Sequence, residues 1–102
     1  MSIYTFLELG DFEFEWDGGN IGKNLRKHGV ADFEAEEAFF DERVLVLPDL
    51  EHAAVEERFH LTGSTRQGRL LLLAFTIREN RIRVISARDA SRGERANYEK
   101  EA

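Results

Sequence analysis

From Phe12 to Trp16 the chain alternates apolar and acidic residues, Phe-Glu-Phe-Glu-Trp, which is the period of a strand with one buried face. Asp17-Gly18-Gly19-Asn20 breaks that strand, and its polar side chains can cap the next element. Ile21 to His28 is compatible with a short helix stopped by Gly29. Asp32 then sits where a cap belongs for a second helix, Phe33 to Phe40, with Glu34, Glu36 and Glu37 near its positive end. Val44 to Leu47 reads as a strand and Pro48 to Ala54 as a loop. Arg58 to Thr65 is a further strand, turned through Ser64 to Gly68. Arg69 to Ile77 is almost wholly apolar, as a central strand covered on both faces would be. Glu79-Asn80 turns the chain into Arg81 to Ala87, and the two strands should form an antiparallel hairpin. Ser91 and Glu94 have the spacing of a capping box and open a C-terminal helix, weakened by Gly93 in its first turn. The expected order is β-α-α-β-β-β-β-α. That is an α+β fold, an antiparallel sheet of four to five strands with two N-terminal helices and one C-terminal helix.

With 102 residues, residues 1–102 are expected to form a single domain, and 42% hydrophobic residues including eight Phe suffice for its core. The chain has no Cys, which excludes disulfides and thiolate zinc sites. No run of about 18 apolar residues occurs, and the first residues lack a basic segment followed by an apolar one. Neither a membrane span nor a signal peptide is expected, and a cytoplasmic location is.

Charge divides the chain. Up to Glu57 four cations face fifteen carboxylates, whereas from Arg58 to Arg95 nine arginines face only Glu79, Asp89 and Glu94. The formal net charge of −6 therefore hides a cationic second half without a single lysine before Lys100. Guanidinium is a rigid fork that grips phosphate oxygens in pairs. The block Arg78, Arg81, Arg83, Arg88, Arg92 and Arg95 has two readings: phosphate recognition, or salt bridges to the acidic half. Arg81 and Arg83 should share one side of their strand, with Ile82 and Val84 on the other. A helix start near Arg92 adds free N–H groups suited to an anion.

Other candidates are thinner. Lys23, Lys27 and His28 belong to the only basic island of the acidic half, and from the residues alone a capping histidine with lysines on a solvated helix face is the better account of them. Glu57-Arg58 could supply a carboxylate and a cation. His52 and His60 are lone histidines, and no metal site is expected. Trp16 and Tyr98 could stack on bases, although Trp16 reads first as core. Phosphate-binding loops, dinucleotide glycine patterns and Ser-His-Asp signatures are absent. Cation-rich phosphate chemistry without a cofactor points to RNA, whose own 2′-hydroxyl can attack the adjacent phosphodiester.

At this level the chain resembles the BrnT family of bacterial toxins. The resemblance runs through Phe14-Glu15-Trp16-Asp17, Lys23 to Val30, Phe39-Phe40-Asp41, His52, Glu56 to Phe59, Gly68 to Leu71, Phe75 to Arg78 and Ile82 to Arg88. It continues through Ser91-Arg92, Glu94-Arg95 and Tyr98-Glu99, so it covers nearly the whole chain. The resemblance implies a RelE-like fold, RNA cleavage that inhibits translation, and a BrnA-like antitoxin of ribbon-helix-helix type through which alone operator DNA is reached. It implies catalytic candidates Lys23, Lys27, His28, Glu57, Arg58, Arg78, Arg83 and Arg88. Arg81, Arg92, Arg95 and Tyr98 join them as RNA-binding candidates. No metal, cofactor or membrane is involved in this expectation. At Ala53 the family pattern often has Ser. The acidic first half also motivates a second expectation, a weakly active or inactive homologue that mainly binds the antitoxin in operon autoregulation.

Overall fold

The computed structural model describes residues 3–51 and 56–101. Its elements are α1 (Ile3–Leu9), β1 (Glu13–Phe14), α2 (Lys23–His28), α3 (Asp32–Ala38), β2 (Leu45–Pro48), β3 (Arg58–Ser64), β4 (Leu70–Arg78), β5 (Arg81–Asp89) and α4 (Arg92–Glu101). The strands form one sheet in the order β1-β5-β4-β3-β2. The pairs β2/β3, β3/β4 and β4/β5 are antiparallel, while β1 joins β5 in parallel. The expected α+β architecture therefore holds, with two corrections. The sheet is mixed rather than wholly antiparallel, and α1 is an extra helix before the first strand.

Local chemistry accounts for the element ends. Gly29 stops α2 in the left-handed conformation, φ 67°, which costs glycine nothing. Asp32 is the first residue of α3 rather than its cap; Glu34 reaches back to accept from Ala31 N at 3.0 Å. At α4 the capping box forms as spaced: Ser91 Oγ accepts from Glu94 N at 3.2 Å, and Glu94 Oε1 accepts from Ser91 N at 2.8 Å. Glu79 and Asn80 turn the hairpin with φ of 50° and 64°, the sign that matches strand twist in a two-residue loop.

One face of the sheet holds the core. Leu61, Leu71, Leu73, Phe75, Ile82, Val84 and Ala87 are buried there with Val30, Ala35, Ala38 and Phe39 from the helical layer. α3 lies so close to β3 that a side chain at Gly63 would collide with the Ala38 carbonyl oxygen.

Two asparagines finish the sheet where β1 is too short to do so. Asn20 Nδ2 donates to Val84 O at 3.1 Å and to Glu15 O at 2.9 Å, and Asn24 Oδ1 accepts from Ala87 N at 3.0 Å. Both are buried. They satisfy β5 backbone groups that β1 does not reach, and they fix α2 along that edge. Asn20 thus works on the sheet rather than as a helix cap, and the residue capping α2 is Gly22.

Candidate functional site

β5 contains one residue too many for its partner. Ala74 pairs with Ser86 but Phe75 pairs with Val84, so Ile85 is bulged out of register. Simple alternation would place Arg88 on the face opposite Arg83. The bulge resets it, and Arg81, Arg83, Ser86 and Arg88 share the face turned away from the Phe75 core. Paired residues on neighbouring strands share a face, so two adjacent rows can be read across the sheet. One runs Leu47, His60, Ala74, Ser86; the next runs Arg58, Thr76, Arg83. Neighbours across the strands lie about 5 Å apart and the rows about 7 Å apart. Ala74 and Ser86 are small and only partly buried.

The cations of this face are not free ions. Arg83 is two-pronged on Asp17, Nη1 to Oδ2 at 2.8 Å and Nη2 to Oδ1 at 3.0 Å, with Nη1 also 3.0 Å from Glu15 Oε1. Asp17 foremost, and Glu15 after it, raise the Arg83 pKa; Arg83 in turn lowers that of Asp17. Arg78 donates to Glu56 at 3.0 and 3.2 Å, and Arg81 stands 3.8 Å from Glu13. Arg88 forks onto Glu94 with both contacts at 2.8 Å. Salt bridging between acidic and basic halves is therefore real, and it presents the guanidinia in fixed positions. Arg58 differs. Its Nε is buried and has no hydrogen-bond partner among the described residues.

The site has a member that sequence reasoning passed over. His60 Nε2 lies 3.1 Å from Asp49 Oδ2, where Asp49 is buried and the imidazole is 44% exposed. Asp49 is itself held where its N–H donates to Arg58 O at 2.8 Å. His60 looked isolated because its partner is eleven residues upstream, brought beside it only by the pairing of Leu47 with His60.

Other candidates fall elsewhere. Lys23, Lys27 and His28 ride on α2 beside the β5 edge, with Lys27 and His28 exposed. Glu57 is exposed, and its carbonyl accepts from Thr76 Oγ1 at 2.6 Å. Arg92 and Arg95 are exposed on α4, Arg95 only 4.0 Å from Glu99. Tyr98 is buried, its hydroxyl donates to Asp41, and Arg43 stands 5.6 Å over its ring. Burial first and Asp41 second push its pKa up to about 12. In this position it offers no open ring face to a base. Trp16 is partly buried and donates to Glu36 at 2.7 Å, as a packing residue. His52 and Ala53 lie outside the described residues.

The fold and this face define a small α+β protein with a sheet surface of arginines, hydroxyls and a carboxylate-bound histidine. The family model described as ribonuclease toxin, BrnT, of type II toxin-antitoxin system matches residues 16–94, and the chain belongs to that family. It is accordingly a toxin of the ribonuclease class, from a system in which the toxin is partnered by an antitoxin. None of the curated proteins compared with the chain matches it. Among the described residues no helix is long and apolar enough to cross a membrane.

Proposed function

We propose that the chain is a metal-independent endoribonuclease whose scissile phosphate lies over the rows Arg58-Thr76-Arg83 and His60-Ala74-Ser86. The observation that carries this reading is the convergence on one sheet face of Arg58, whose buried Nε has no hydrogen-bond partner among the described residues, the fixed Arg83 fork and the His60–Asp49 pair. Asp49 engages Nε2 of the imidazole, which leaves Nδ1 as the proton acceptor and fixes the ring. Nδ1 takes the proton of the RNA 2′-hydroxyl, and that oxygen bonds to phosphorus. Arg58 and Arg83 stabilise the charge on the phosphorane oxygens. The bond to the 5′-oxygen breaks, and solvent protonates it. The products are a 2′,3′-cyclic phosphate and a 5′-hydroxyl.

Arg78 and Arg81 extend the cationic face at the hairpin turn, and Arg88, Arg92 and Arg95 extend it at the start of α4, where flanking phosphates would lie. Lys23 and Lys27, one helical turn apart, border the face from α2. In this reading cleavage inhibits translation in the cytoplasm, the partner is a BrnA-like ribbon-helix-helix antitoxin, and operator DNA is contacted through it alone. The test is cleavage of RNA by purified chain in EDTA. His60→Gln and Arg58→Ala should each reduce the rate about ten- to a hundredfold, the scale of one charge-assisted contact or one proton transfer. Undiminished cleavage by both variants would remove this face from the chemistry.

A further inference from the structure

The largest exposed aromatics lie away from the arginine face. Phe33 is 64% exposed, Phe40 60% and Tyr4 41%. They line two clefts that meet at Phe40 and Asp41. One, of about 640 Å³, runs between α3 and the β3–β4 turn; the other, of about 380 Å³, lies between α1 and the turn from α3 to β2. Five carboxylates border them (Glu8, Glu36, Glu37, Asp41 and Glu42) against one cation, Arg66. Glu8 and Glu42 have no ion pair among the described residues, so their charge is available to a partner. Aromatic anchors inside a ring of carboxylates suit a segment that carries apolar side chains on one side and lysines or arginines around them.

We propose that this double cleft is the docking surface for a basic, amphipathic segment of the antitoxin. The inference deepens the proposed function, since it takes the partner from the toxin–antitoxin family while depending on none of the cleavage chemistry. Charge complementarity selects the occupant: RNA is repelled by the same five carboxylates, and a second copy of this chain brings a net charge of −6. The first cleft borders the β3–β4 turn, whereas Arg78 and Arg81 lie at the opposite end of the β4–β5 hairpin. Eight strand steps of about 3.3 Å put roughly 26 Å between them. A segment seated here does not plug the arginine rows directly. It anchors the antitoxin and leaves the rest of that protein to shade the RNA face.

The test uses full-length chain and its cognate antitoxin, purified together, separated and titrated calorimetrically. Phe33→Arg and Glu42→Arg replace exposed side chains, so both should melt like the wild type and cleave RNA as it does. Each should weaken antitoxin binding roughly ten- to a hundredfold, as loss of an interface anchor does. Should Phe33→Arg prove unstable, Glu42→Arg alone decides. Wild-type affinity in Glu42→Arg and in every folded Phe33 variant would overturn the proposal, and loss of binding in Arg58→Ala would then put the antitoxin on the arginine face. A wild-type chain that binds through this cleft yet leaves RNA intact would uphold the docking surface and sink the cleavage reading alone.

Discussion

Asp17 grips Arg83 with both carboxylate oxygens, at 2.8 and 3.0 Å, across 66 positions of sequence. The Asp17-Gly18-Gly19-Asn20 loop is wrapped around the guanidinium so closely that a side chain at Gly19 would come within 2.7 Å of Nη2. A carboxylate in this place both aims Arg83 and competes with phosphate for it. Asp17→Asn keeps an oxygen for aiming and removes the competing charge. RNA affinity should rise severalfold, because a competing charge leaves the guanidinium while its aim is kept. Filter binding at fixed salt measures it; an unchanged affinity with a lowered melting temperature would make the pair a structural tether only.

The Arg88–Glu94 fork gives the fold an acid-sensitive element. Arg88 above all, with the Ser91 N–H, pulls the Glu94 pKa from its ordinary 4.5 down to about 2. A depressed carboxylate contributes stability above about pH 4.5, and that contribution fades as pH falls from there toward 2. Asp17 and Asp89, both lowered foremost by their arginine partners, act in the same direction. Glu94→Gln, which retains the cap, should cost about 1 kcal/mol after allowance for solvent screening, or about 4–8 °C in Tm at pH 7. The difference from wild type should shrink on titration to pH 3. A constant difference across that range would show that the fork adds nothing.

The features legible in the sequence were local ones. Gly29 as a stop, Ser91 and Glu94 as a box, Glu79-Asn80 as a turn and the apolar run Arg69 to Ile77 as the middle strand are all carried by neighbouring residues. α1 was missed because Ile3–Leu9 has no acidic residue in its first turn and no basic one in its last. The parallel pairing of β1 with β5 and the bulge at Ile85 depend on partners far along the chain, and nothing beside them in sequence announces either. At the site, the arginine side of β5 was readable from alternation, but Arg88 joins it only through the bulge. His60 needed Asp49 from beyond the adjoining strand before it looked like more than a lone histidine. Tyr98 shows the converse: its place in the motif marked it for RNA, and tertiary packing buries it against Asp41.

Asn24 offers a test of how the β5 edge is held. Its Oδ1 accepts from Ala87 N in a buried setting. Asn24→Ala strands that N–H and should destabilise the chain by about 1–3 kcal/mol in urea unfolding. The Ala87 amide should exchange with solvent faster than those of the β3–β4 pairing. A stability loss near zero would mean that water replaces the side chain.

Charge complementarity between chain and antitoxin should speed capture more than it strengthens the complex. Raising salt from low to several hundred millimolar should slow association severalfold in stopped flow. Dissociation should remain slow, because the buried aromatics carry it. A complex that falls apart quickly in high salt would show a mainly ionic interface.

The most direct test is to incubate purified wild-type chain with single-stranded RNA in EDTA and analyse the 3′ ends formed. Cleavage leaving 2′,3′-cyclic phosphates, cut about ten- to a hundredfold by Arg83→Ala and by His60→Gln, is the predicted result. RNA left intact by the wild type, or cut to 3′-hydroxyl ends, would contradict it.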